Sequence, residues 1–188
     1  MCIFFGGSMK LLDWIENKTA RFDKCSIFRK LAVLSTALVI ATLSVYIQVM
    51  NHQFLSYDDC EYVTDNPHIA SGITWQNIVW GFTSVYASNW HPITWLSHMV
   101  DVQLYGMNPI GHHLTNVAIH SLSTVALLLL LCRVTGALWQ SLFVAALFAL
   151  HPMHVESVAW VAERKDVLST FFFFITLLLY FDRATFFL

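Results

Sequence analysis

The chain has 188 residues, 57% of them hydrophobic and only 12% charged, against roughly 25% charged in soluble domains; a soluble enzyme is excluded and an all-α integral membrane protein is expected. A formal net charge of −2 gives no reason to expect nucleic acid as a partner. The four cysteines, Cys2, Cys25, Cys60 and Cys132, show no CxxC or other metal spacing, and no internal disulfide is predicted.

The first 30 residues read as a basic cytoplasmic leader. Lys10, Lys18, Arg21, Lys24, Arg29 and Lys30 all precede the first apolar run, while Leu11, Leu12, Trp14, Ile15 and Phe22 fall between the charges, as in an interfacial amphipathic helix or an untidy solvated tail. Residues 31–188 form the expected transmembrane domain. Its first span, 31–50, has about 20 residues, longer than a signal-peptide core of roughly 7–15. It reads as a retained anchor with its N-terminus inside, fixed there by the basic cluster.

No Lys or Arg occurs between Asn51 and Cys132, as suits an exported segment. The external loop 51–108 carries Trp75, Trp80, Trp90 and Trp95 and is expected to fold against the membrane surface, the tryptophans serving as interfacial anchors. Within it Thr74–Phe82 and Pro92–Tyr105 read as short helices, the second with Trp95, Met99 and Val102 at helical spacing. Asn108-Pro109 is a helix-start signal for a second span, 109–132, that ends at Arg133 inside. A third, 138–151, returns outward to His151-Pro152, where Pro disfavours helix at the preceding residue. A fourth, 167–187, crosses inward and carries Asp182 and Arg183 near its cytoplasmic end. Four spans place both termini inside. They also place Arg164 and Lys165 outside, against the positive-inside trend: either the span count differs by one or these cations bind an anion on that face.

Several polar constellations flank or interrupt these runs. Asp58 and Asp59 lie just beyond the first span, where adjacent carboxylates can supply a general base and a group that orients it or holds a metal; an acidic pair in a loop is more commonly just solvated. His151, His154 and Glu156 form an HxxHxE cluster with ligand types suited to Zn²⁺, but HExxH is absent, and a helix-end polar cluster is the simpler reading. His112, Asn116 and His120 fall at i, i+4 and i+8 on the second span. Such a stripe faces protein rather than lipid, and packing against neighbouring helices explains it more simply than haem ligation.

Three segments, FLSYDDCEYVTDNPHI (54–69), HPITWLSHMVDVQLYGMNPIGHHLTNVAIH (91–120) and HPMHVESVAWVAERKDVLSTFFFFITLLLY (151–180), together resemble the membrane half of the transmembrane and tetratricopeptide-repeat protein family. The resemblance implies part of a GT-C architecture and transfer of a hexose, mannose in this family, from a polyprenyl-phosphate carrier to Ser/Thr hydroxyls of a protein acceptor at the outer face. It implies Asp58 and Asp59 as the catalytic acidic pair, one of them the general base, Arg164 at the donor phosphate, and His151, His154 and Glu156 as a supporting polar cluster; Lys165 is expected to join Arg164 at the phosphate, and His91 the polar cluster. A polyprenyl-phosphate sugar is the implied donor substrate, and a divalent metal is left open as a cofactor. The chain departs from the family pattern at Glu163, where Gly is usual, at Lys165, where a small residue is common, and at His91, where a cation often precedes the Pro.

The expected location is a multi-pass position in a bacterial inner membrane or the endoplasmic reticulum. Because GT-C folds have more spans and the family appends tetratricopeptide repeats, the chain is expected to be the N-terminal part of a larger enzyme. The alternatives are a truncated, non-catalytic module that binds lipid carrier or partner helices, and a His-dependent metal or haem membrane protein.

Overall fold

A computed structural model describes residues 6–184, with side chains for residues 26–181. The chain divides into two compact units, Met1–Ala37 and Leu38–Leu188. The first is the N-terminal part of helix α1 (Gly6–Tyr46). The side chains of the proposed leader up to Cys25 lie outside the described residues, so its amphipathic character is not visible. Arg29 and Lys30 are exposed, and the Thr36 hydroxyl donates to Ala32 O at 2.9 Å. The second unit contains the end of α1, a 3₁₀ turn (Ile47–Asn51), a π-helical turn (Cys60–Thr64), and helices α2 (Pro67–Ala70), α3 (Trp75–Thr83) and α4 (Pro92–Tyr105). The long α5 (Pro109–Thr135) follows, then α6 (Leu138–Leu150), a 3₁₀ turn (Pro152–His154), α7 (Val155–Ala159) and α8 (Arg164–Ala184).

The helix boundaries follow local chemistry. Asn108 caps α5 by accepting from Ile110 N at 3.1 Å, with Pro109 at the first helical position, and Thr74 caps α3 by accepting from Asn77 N at 3.1 Å. α5 runs past Arg133 and stops at Gly136, whose φ of 68° is the left-handed conformation glycine adopts most readily. α6 ends before His151-Pro152, and its axis turns by 48° into the segment Pro152–Ala159. Pro152 has no N–H for helix continuation, and the His151 imidazole takes up the orphan Met153 N–H at 3.2 Å.

Among the described residues two helical segments are long and apolar enough to cross a membrane, Ser26–Asn51 and Pro109–Thr135, and a third counts if α6 and the bent segment after it form one span. α6 alone has 13 residues, about 20 Å at 1.5 Å per residue, short of a hydrocarbon core of about 30 Å. The expected fourth span coincides with α8, which opens on Arg164, Lys165 and Asp166 and is not among these candidates. Asp182 and Arg183 lie outside the described side chains.

α5 is the hub of the second unit, packed against α4, α6, α7 and α8. Toward its C-terminal end Ala126 and Leu130 meet Leu178 of α8; nearer its start Val117 joins Tyr46, Val49, Val158 and Val167. Segment 51–108 and the loop before α8 share a separate core of Tyr62, Val63, Ile69, Trp95, Met99, Val161 and Ala162. Burying each large side chain of this kind contributes roughly 1.5–3 kcal/mol. Trp95 corrects the interfacial reading of the tryptophans, because it is fully buried, in ring contact with Tyr62, Trp80, Tyr86 and His91. Trp80 also stacks on His68 at 4.5 Å. Trp75 and Trp90 stay exposed.

The α4–α5 connection is tight. Gly106 has φ 62° and ψ −141°, and a Cβ on Gly111 would overlap Tyr105 from its Cβ to its ring. Because the obstacle includes atoms close to the backbone, the ring cannot simply swing aside. Gly111→Ala is expected to destabilise the protein by about 1–3 kcal/mol through overpacking, read as a lower thermal midpoint in detergent; an unchanged midpoint would show that the connection is looser than described.

Candidate functional site

The two adjacent carboxylates do different things. Asp59 is fully buried: its Oδ2 accepts from Leu55 N and its Oδ1 from Ala162 N, both at 2.8 Å. It therefore ties the loop after the first span to the loop before α8, across 103 residues of sequence. Burial raises its carboxyl above the ordinary value, and the two amide donors offset part of that rise. Asp58 is only partly buried and lies near enough to Tyr62 to influence its phenol. Lys165 lies over the Tyr62 ring, its Nζ 5.8 Å from the ring centroid, and pairs with Glu163 at 2.7 Å. His91 lies beside this group, 5.6 Å from Tyr62 and 4.8 Å from Trp95 between ring centroids. Burial, and secondarily Lys165, push its imidazole below the ordinary value.

Arg164 is built differently from Lys165. Its side chain has no exposed surface. Nη2 donates to Asp101 Oδ2 at 2.6 Å and to His112 O at 2.8 Å, Nε donates to Asn116 Oδ1, and Nη1 points to Ser97 Oγ at 3.5 Å. The other oxygen of Asp101 accepts from the Thr115 hydroxyl at 2.8 Å. The guanidinium is thus enclosed by α4 and α5, while Lys165, one residue on, keeps about a third of its side chain in solvent.

The remaining predicted residues separate. His151 is exposed and His154 half-buried at the α6–α7 bend, with ring centroids 6.4 Å apart. His154 faces Phe148 at 4.8 Å and His120 at 5.7 Å, beside a cleft of about 240 Å³ whose lining includes Ser123, Ser157 and Asp166. Glu156 is exposed and borders another cleft, of about 520 Å³, walled by Phe54, Leu55, Val155, Ala159 and Trp160. His91 belongs with Tyr62, so the four members of the expected cluster fall into separate neighbourhoods. The stripe on α5 bonds to neighbouring segments: His112 to Gly106 O at 3.0 Å, Asn116 to Trp160 O at 2.8 Å and His120 to Ala149 O at 3.2 Å.

Sequence reasoning missed Asp101 and Tyr62. Asp101 had a signal: it is the only charged residue of α4, in a stretch that offers no basic partner from Asn51 to Cys132. A buried acid there needs a cation from farther along the chain. Tyr62 had none, because its position depends on a π-helical turn that no local pattern announces.

The chain is similar to protein O-mannosyl-transferase Tmtc2 of Drosophila melanogaster, 29% identical in an alignment of 178 positions, gaps included, that covers 84% of this chain and 19% of that protein. It is 31% identical to protein O-mannosyl-transferase tmtc2 of Xenopus laevis over an alignment covering 81% of this chain and 19% of that one. With protein O-mannosyl-transferase TMTC1 of Mus musculus it shares 33% identity over an alignment covering 66% of this chain and 14% of that one. The chain therefore spans less than a fifth of the length of these relatives. No family model matches it, and no solved structure matches it significantly.

Two outcomes follow from the buried charges. Removing one partner of a fully buried ion pair leaves the other uncompensated, at a cost of about 3–5 kcal/mol. Arg164→Met or Asp101→Asn should each destabilise by that order in detergent unfolding, and the double variant Asp101→Asn/Arg164→Met by less than the sum. Strict additivity would deny the pairing. For Asp59 the folded-state value is raised, so its contribution to stability is fully present below the ordinary carboxylate value and is lost as pH rises through the raised one. The stability of the native chain relative to Asp59→Asn should accordingly fall with rising pH over that acid interval, and a flat difference would contradict the assignment.

Proposed function

Since the chain belongs to the transmembrane and tetratricopeptide-repeat protein family, we propose that it forms part of a protein O-mannosyltransferase that takes its sugar from a polyprenyl-phosphate carrier. The acceptor is a Ser or Thr hydroxyl of a protein at the non-cytoplasmic face of a bacterial inner membrane or the endoplasmic reticulum. In this reading the chain supplies four spans and the first external loop of a GT-C architecture, with its N-terminus cytoplasmic and further helices completing the donor cavity.

The observation that carries the reading is the division of labour between neighbouring residues. Asp59 is locked by Leu55 N and Ala162 N, whereas Asp58 beside it is accessible on the side where Tyr62 meets Lys165. Asp58 is then the general base that removes the acceptor hydroxyl proton as the new glycosidic bond forms, and Asp59 is the group that positions it. As the bond from sugar carbon to phosphate oxygen breaks, the electron pair stays on the phosphate, and a cation aimed there stabilises the transition state. Lys165, partly exposed and paired with Glu163, is the cation placed to take that role. Arg164 acts through its enclosure by Asp101, Asn116 and Ser97, which fixes the start of α8 and with it Lys165. The apolar walls of the larger cleft, Phe54, Leu55, Val155 and Trp160, suit an isoprenoid tail, and His113, buried at its edge, adds a polar boundary. Glu156 borders this cleft, His91 lies beside Tyr62, and His151 and His154 support the α6–α7 bend.

The test is mannose transfer from polyprenyl-phosphate mannose to an acceptor peptide by the complete enzyme containing this segment. Asp58→Asn is expected to lower kcat by about 10²-fold or more with membrane insertion intact, and Lys165→Ala to raise KM for the lipid donor without a comparable loss for the peptide. An Asp58→Asn enzyme turning over at the native rate would sink the assignment of the base.

A further inference from the structure

Beneath the proposed transfer site lies a group of buried side chains that the reaction does not use. His98 and Asp101 project from α4 and His112 from α5; none exposes more than 2% of its surface, and one donor atom from each lies within 4.8 Å of the others. Among the described residues this is the group of three whose geometry suits a metal ion.

The hydrogen bonds around His112 say what is missing. Its Nε2 contacts Gly106 O at 3.0 Å, and a carbonyl oxygen only accepts, so Nε2 carries the proton. In the neutral ring Nδ1 then presents a lone pair, and 3.6 Å away it meets Asp101 Oδ2, another electron-pair donor. His112 Nδ1 and both ring nitrogens of His98 are buried without a hydrogen-bond partner. Burial keeps His98 neutral, its imidazole held well below the ordinary value, with the nearby guanidinium adding to the effect. A neutral imidazole carries one free lone pair, so His98 and His112 supply two unpartnered lone pairs, and with one carboxylate oxygen of Asp101 close by they describe a cation receptor. Leaving them empty would cost desolvation with no return.

We propose that His98, Asp101 and His112 bind one divalent transition-metal ion, with Zn²⁺ the best match to two imidazoles and a carboxylate. The outer groups are those a metal site needs. The Nε2–H of His112 on a backbone carbonyl fixes the tautomer and ring orientation, and the Thr115 hydroxyl on Asp101 Oδ1 orients the carboxylate. Tetrahedral zinc at about 2.0–2.1 Å separates its ligands by about 3.3 Å, so donors lying up to 4.8 Å apart close by at most about 1.5 Å on loading, and the His112–Asp101 pair, at 3.6 Å, by less. Arg164 shares Asp101 Oδ2 but retains His112 O, Asn116 Oδ1 and Ser97 Oγ, which lets the carboxylate serve both cations. Enclosed as it is, the ion ties α4 to α5 rather than meeting substrate. The site stands independently of the transferase reading.

The full chain, purified in detergent through a tag without histidines and stripped with chelator, is equilibrated with Zn²⁺ alone, desalted and analysed for metal. One zinc per chain is expected, with a higher thermal midpoint. His98→Gln and His112→Gln, which preserve side-chain bulk, should lose both effects, while His151→Gln/His154→Gln retains them. X-ray absorption at the zinc edge of the native chain should show two imidazole ligands, which keeps the test valid if a variant fails to fold. No retained zinc, stoichiometric zinc in His98→Gln and His112→Gln, or a spectrum without imidazole scattering would overturn the proposal and assign the buried nitrogens to ordered water.

Discussion

The second unit depends on one ion pair kept out of water. Arg164 and Asp101 come from helices that share no local sequence, and each forfeits hydration worth several kcal/mol when enclosed. The arrangement holds because the remaining polar capacity is used: Thr115 serves the second carboxylate oxygen, and Asn116, Ser97 and the His112 carbonyl serve the guanidinium. That places the start of α8 against α4 and α5. Lys165 and Glu163, its immediate neighbours, are consequently presented beside Tyr62, and Ala162 is brought to Asp59. The catalytic reading relies on this buried charge even though neither member of the pair is free to touch a substrate.

The same unit is inverted relative to a soluble domain. Its interior along α5 carries His112, Asn116, His120, Ser121, Ser123 and Thr124, while Phe143, Leu147, Phe173 and Leu179 face outward. In hydrocarbon there is no water for a polar side chain to return to, so polar groups turn inward and hydrogen-bond to backbone carbonyls or to one another. Ser121, Ser123 and Thr124 each donate to the carbonyl four residues earlier. The 51–108 segment instead has an aromatic core around Trp95 beneath short helices, with Trp75 and Phe82 of α3 and Trp90 of the α3–α4 loop left exposed.

What the sequence made legible was whatever depends on near neighbours in the chain. The start of α5 at Asn108-Pro109, the extent of α4 and the end of α6 before Pro152 all follow from capping and proline chemistry within a few residues. The polar stripe on α5 was likewise readable as an inward face. Less legible were features set by distant partners. Nothing within HPMHVESVAW indicates that His154 turns to Phe148 and His120 while Glu156 turns to a different cleft. Nor does a bare Asp-Asp pair reveal which carboxylate the backbone of residue 162 will claim. The exposed role of the tryptophans failed for Trp95 because its helix packs beneath α3 and the π-helical turn, an arrangement that helical spacing alone does not specify.

The tie between Asp59 and Ala162 spans 103 residues, and that between Asp101 and Arg164 spans 63. A ribosome delivers these partners in order, so the external loop emerges with both acids before either mate has been made. Loop closure over such distances is entropically unfavourable until α5 and α6 shorten it by folding into a hairpin. This layer is thus completed only once α8 has been made. During synthesis Asp59 and Asp101 must wait in water, and the loop can be sealed only when α8 brings the amide and the guanidinium to them.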